Sequence, residues 1–249
     1  MKLNFLLEMK ILQCYHCLYY AYQRHLVCAV HPDGVDGDSC HDFQEDPDKV
    51  PTEIFNPFAQ VCKFLATNYS RDFAQWLLGK PRDFQVLKPE DISLEPIRTK
   101  NLLFLESDDL ILHLEFQTNP EPDIPFIIMD YRLRLYQYNP DKLVQQMVIY
   151  LTPSDSELVY RDYFSLETTY CKYHIVRLWE ISPNQFFQAN GLLPLAVLSQ
   201  ETDSIEILKK VNKQIKTVSN EAEKRELFTS TAILANLVLD NEKIQEIIL

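Results

Sequence analysis

The chain has 249 residues, enough to bury a real core as one domain with appendages. Its net charge of −12 argues against a broad basic nucleic-acid surface, though a nuclease holding metal on acidic groups stays compatible. Only 4 glycines are present, none at a strand–helix junction, so neither a dinucleotide fingerprint nor a phosphate-cradling loop exists.

Residues 1–50 differ from the remainder. Four of the six cysteines (Cys14, Cys17, Cys28, Cys40) and four of the six histidines fall there. Three readings are open: a zinc site built on Cys14-x-x-Cys17 with Cys28 and Cys40, a Cys/His-rich extension without fixed structure, or a natural start further on, with Met9 a candidate. The spacing of Cys28 and Cys40 is not a regular knuckle, which favours the extension. The first 28 residues make a poor signal peptide, no apolar run approaches a membrane span, and a cytoplasmic location follows. Residues 31–50 are rich in Asp and Pro and read as a linker.

From Asn56 the pattern becomes regular. Asn56-Pro57 is an N-cap followed by Pro at the first helical position, and Phe58, Val61, Cys62 and Leu65 share one helical face. Cys62 on that stripe reads as a small buried hydrophobe. Ser70 is placed to cap a second helix that Gly79 closes. Short strands are expected over 84–87 and 92–94.

The most informative stretch is 93–117, two apolar runs joined by an acidic turn and ending in Glu115-Phe116-Gln117. On a strand, Asp109, Ile111, His113, Glu115 and Gln117 share one face, and Leu110, Leu112, Leu114 and Phe116 share the other. With Ser107-Asp108 as a two-residue loop, Glu115 pairs with Lys100 and Gln117 with Arg98. Directly opposed Cβ atoms are about 5 Å apart, so Lys100 is the expected cross-strand partner of Glu115. From spacing alone, Glu115 and Gln117 are the solvated end of a half-buried strand, and His113 is a packed core residue. Asp109 shares their face but lies about 20 Å along the strand from Glu115.

A helix is expected over 126–138, with Arg132 and Arg134 as its cationic positions, then a doubly buried strand over 146–151. Strand, helix and strand form a βαβ unit. Another strand is expected over 173–181. Helices follow from Asp203 or Ser204 and over 221–239, with Asp240 placed to cap a third. No C-cap signal precedes Leu249, as in a chain that ends early relative to a longer parent.

The strings CKFLATNYSRDFAQWLLGK, SLEPIR, DDLILHLEFQTNPEPDIP, DYRLRLY and LLPLAVLSQ closely resemble Rpn-type proteins. These are recombination-promoting nucleases and transposase-associated proteins of the PD-(D/E)XK nuclease superfamily. The likeness covers roughly residues 55–249. It implies an α/β fold, a restriction-endonuclease-like mixed sheet flanked by helices, over 51–185, with a helical C-terminal region over 186–249. It further implies Mg²⁺-dependent endonuclease cleavage of DNA, with DNA as partner and a homodimer as the assembly many such nucleases use. In such sites an Asp on the first hairpin strand and a Glu on the second hold the metal, and a Lys or Gln two residues on positions the attacking water. Glu115 and Gln117 match the second-strand motif, with Glu115 as the metal ligand. The first-strand Asp is replaced by Lys100, and the upstream helix carries Ala59 and Thr67 where relatives tend to be acidic. An ammonium about 4–6 Å from Glu115 would hold it ionised and take the cation's place. The resemblance therefore leaves two functions: a DNA endonuclease, or a nuclease-fold protein that binds DNA or a protein partner without cutting.

Overall fold

The computed structural model describes residues 17, 19–23, 26–31, 39–44, 56–88, 101–200 and 203–248. The chain divides into two compact units, residues 1–55 and 56–249. In the first, strands β1 (Tyr20–Gln23) and β2 (Leu26–Cys28) form an antiparallel hairpin.

The second unit begins as the sequence dictates. Asn56 accepts hydrogen bonds from the Phe58 and Ala59 N–H groups at 3.1 Å each, and Pro57 opens helix α1 (Pro57–Asn68). Asn56 Nδ2 also donates to Thr118 Oγ1 at 3.0 Å, tying the start of α1 to the segment that follows Gln117. Helix α2 (Ser70–Leu78) ends at Gly79, whose φ of 74° lies in the left-handed region that glycine tolerates. Ser70 is not its cap: the N-cap position is Tyr69, and no side chain caps the helix.

Five strands form the central sheet: β3 (Gln85–Leu87), β4 (Leu102–Glu106), β5 (Leu110–Gln117), β6 (Leu143–Tyr150) and β9 (His174–Arg177), in that order. β4 runs antiparallel to both of its neighbours, β3 and β5, whereas β5, β6 and β9 run parallel. Helix α3 (Ile124–Tyr138) joins β5 to β6, which gives the expected βαβ unit. The strand expected over 92–94 lies outside the described residues. The one expected over 173–181 is shorter, because Leu178–Glu180 turns into a 3-10 helix. A small hairpin, β7 (Tyr163–Leu166) and β8 (Thr169–Lys172), turns at Glu167, whose φ is 51°.

All eight residues of β5 are buried, because both faces of the sheet are covered. Leu112, Leu114 and Phe116 join a core with Ala59, Cys62 and Leu65 of α1, Phe73 of α2 and the 3-10 segment Asn190–Leu198. Helices α4 (Ser204–Ile215), α5 (Glu221–Ala235) and α6 (Asn241–Ile248) complete that layer. Asp203 caps α4 by accepting from the Glu206 N–H at 3.0 Å. On the opposite face Ile111, Leu102, Phe104 and Val148 pack under Ile128, Tyr131 and Leu135 of α3. Each fully buried Leu or Phe contributes about 1.5–3 kcal/mol. Three such anchors on one face hold β5 in the sheet whatever its other face carries.

Gly191 is required by a close approach. A side chain there would collide with Tyr69 Cβ and Cγ, and the Gly191 N–H donates to Asp72 Oδ2 at 3.0 Å. The described protein is thus mixed α/β, with a five-stranded sheet between helical layers. Among the described residues no helix is long and apolar enough to cross a membrane.

Candidate functional site

The β4–β5 turn sets what faces Glu115. The Ser107 N–H donates to Leu110 O at 2.9 Å, and Glu106 pairs with Ile111, so the two-residue loop is Asp108-Asp109 rather than Ser107-Asp108. Asp109 is held in the turn by Arg82, whose guanidinium keeps its carboxyl below the ordinary carboxylate value. The register is therefore two residues from the sequence expectation, and Leu102 stands opposite Glu115. A two-residue shift preserves the face, so the polar side chains of β5 stay together. Lys100 and Arg98 lie outside the described residues.

Glu115 and Gln117 are not a solvated strand end. His113 and Glu115 are fully buried and Gln117 is 2% exposed. The side chains converge under α3. Gln117 Nε2 donates to Glu115 Oε1 at 2.9 Å, and His113 Nε2 lies 3.6 Å from Glu115 Oε2. From β6, Gln146 Nε2 donates to Ile128 O at 2.7 Å and lies 3.1 Å from His113 Nδ1. The His113 ring packs at 4.8 Å from Phe104 and 5.4 Å edge-on to Tyr131.

Lys63 of α1 supplies a cation that the sequence reading passed over. Burial pulls its pKa down from the ordinary lysine value, and the field of the Glu115 carboxylate works against that shift. Lys63 is thus a cation of α1 that lies in the field of Glu115. Its position beside Cys62, at the edge of the apolar stripe, is the one sequence signal that could have found it.

Tyr150, opposite Gln117 on β6, senses the same carboxylate. Burial first, then the charges of Glu121 and Glu115, push its hydroxyl up to about 12. Glu121, exposed on the loop after β5, is thus a second carboxylate whose field reaches this region. Arg134 pairs with Asp130 at 3.0 Å within α3. Cys62 is fully buried, and burial raises its thiol pKa, in keeping with a packing role.

Mg²⁺ prefers six oxygen ligands in near-octahedral array, several of them water. Glu115 instead has an amide on one oxygen, an imidazole near the other and an ammonium in its field. Among the described residues no three His, Cys, Asp or Glu side chains gather to hold an ion. The side chains around Glu115 do not fit a magnesium site as arranged. No protein-family model, no curated protein and no solved structure matches the chain.

Proposed function

We propose that this chain is a nuclease-fold protein of the recombination-promoting type that acts by binding rather than by hydrolysis. The fold reading draws support from the β4–β5 hairpin with a carboxylate on its second strand, followed by α3 and a parallel β6. One observation carries the functional reading: Gln117 Nε2 donates to Glu115 Oε1, and the Lys63 ammonium and the Glu115 carboxylate lie in each other's fields. An ammonium in the field of a carboxylate works against the approach of a divalent cation to it. DNA is the partner the resemblance implies, and the net charge of −12 confines such contact to a local patch.

The second reading, a Mg²⁺-dependent endonuclease, is favoured by the intact E-x-Q triplet, with Glu115 and Gln117 in direct contact at 2.9 Å. Incubating supercoiled plasmid with the protein and Mg²⁺, beside Glu115→Ala, separates the two. The binding reading expects retarded plasmid on a gel and no nicking above the variant's background. Nicking by the wild type that Glu115→Ala abolishes would establish the endonuclease instead.

A further inference from the structure

The two flanks of β6 are not equally covered. β5 runs beside it from Leu143 to Tyr150, whereas β9 pairs only with Met147 to Tyr150. Main-chain polar groups of successive residues point to alternate sides of a strand, and the Leu143 N–H donates to Asp109 O on the β5 side. Val144 therefore turns its N–H and C=O to the other flank, at a level where β9 has not yet begun. Among the described residues no strand pairs with it there. A main-chain donor and acceptor left open on a sheet edge form a template for another strand.

A cavity of about 500 Å³ opens along this stretch of β6, a size that holds a short peptide segment or a small ligand. Trp76, Leu77 and Leu78 of α2 wall one side of it, and Leu143, Gln145 and Met147 of β6 wall the other. Three of its side chains are unsatisfied. Leu143 is 68% exposed, an apolar side chain with nothing over it. Gln145 Oε1 is buried and accepts no hydrogen bond. Lys80 lines the cavity without a carboxylate partner among the described residues, whereas Arg82 beside it is held by Asp109. The site lacks main-chain partners, an apolar cover, a donor and a negative charge.

We propose that this flank of β6 binds an extended acidic segment of a partner protein as an added strand. The segment exchanges main-chain hydrogen bonds with Val144, and its side chains alternate, so that one apolar side chain enters the cavity beside Met147 while its neighbours stay outside. A donor of the segment reaches Gln145 Oε1, and one of its carboxylates pairs with Lys80. In a chain of net charge −12, Lys80 selects an acidic partner by position and not by bulk attraction. A small apolar anion would fill the cavity and meet Lys80 but leave Val144 open; a strand answers all four needs. The site is separate from Glu115, which lies under α3, since Met147 faces the core layer that includes α2.

The test titrates the full chain into three short fluorescein-labelled peptides and follows their anisotropy. One alternates Glu with Val, the second alternates Lys with Val, and the third is the Glu–Val peptide N-methylated along its backbone. Saturable binding of the Glu–Val peptide is expected, with the Lys–Val peptide weaker. N-methylation removes the main-chain donors and should weaken binding by about tenfold or more. Lys80→Glu should weaken the Glu–Val peptide by about tenfold. Lys80 is exposed, so the variant keeps its fold, which circular dichroism checks. No saturable binding of the Glu–Val peptide, or a Lys80→Glu variant that binds it undiminished, would overturn the proposal. Equal binding of the N-methylated peptide would overturn it too, and would assign the cavity to side chains or small ligands instead.

Discussion

Gln146 Nε2 lies 3.1 Å from His113 Nδ1, and this contact decides which nitrogen of His113 faces Glu115. The same Nε2 donates to Ile128 O at 2.7 Å, and a carbonyl can only accept, so the amide nitrogen is correctly placed there. Its second hydrogen points to Nδ1, which must then accept. The neutral ring carries its proton on Nε2, the atom 3.6 Å from Glu115 Oε2. A backbone carbonyl of α3 thus orients a β6 amide, the amide orients the imidazole, and the ring turns Nε2 toward the carboxylate without reaching hydrogen-bond distance.

Glu115→Ala is expected to destabilise the protein. It leaves Gln117, His113 and the half-buried Lys63 without the group they share. Removing one member of a buried charged set ordinarily costs about 3–5 kcal/mol. Urea unfolding followed by circular dichroism should show a loss of about 3 kcal/mol. A change below about 1 kcal/mol would mean that Glu115 is not an organising charge of this core.

Gln146→Leu tests the relay from its far end. The Ile128 carbonyl and His113 Nδ1 would both lose their donor inside the core. An unsatisfied buried polar group costs about 1–3 kcal/mol, and the apolar replacement offsets part of that. The expected loss in urea is about 2 kcal/mol, accompanied by a shifted His113 ring signal in nuclear magnetic resonance spectra. An unshifted ring signal would contradict the tautomer assignment.

Tyr150 predicts an alkaline limb. Its pKa rises from the ordinary 10.0 to about 12, with burial as the main cause. A raised value means that the folded state binds the proton more tightly than the unfolded state. The contribution is therefore fully present below pH 10 and is lost as pH climbs to about 12. Tyr150→Phe has no proton to lose, so its urea midpoint should fall less over that window. Tyr173, raised by burial and then by the charge of Tyr150, loses that second contribution in the variant, which flattens its curve further. Parallel curves for the two proteins would count against this assignment.

Elements whose signals are local were readable in the sequence, and the features set by distant partners were not. Asn56-Pro57 announced α1 because cap and first-turn chemistry involve neighbours only. The alternation of β5 correctly grouped His113, Glu115 and Gln117, since the period of two holds in any register. The register itself escaped, because Asp109 is retained in the turn by Arg82, 27 residues upstream. Burial of Glu115 escaped for a related reason: the second covering layer, α3, is joined to β5 by a loop whose path the strand does not encode. Lys63 was passed over because a lysine beside an apolar stripe usually faces solvent. The β7–β8 hairpin was missed since its strands are mostly exposed and give no core-facing alternation.

The central claim is that Glu115, held at Oε1 by Gln117 and lying in the field of the Lys63 ammonium, does not recruit a divalent ion. Mn²⁺ is the direct probe, since bound Mn²⁺ speeds the relaxation of water protons. A chain with net charge −12 will bind some Mn²⁺ weakly over its surface, so the comparison is between wild type and Glu115→Gln. The account predicts superimposable titrations for the two proteins. A saturable site of about one ion per chain in the wild type that disappears in Glu115→Gln would contradict it.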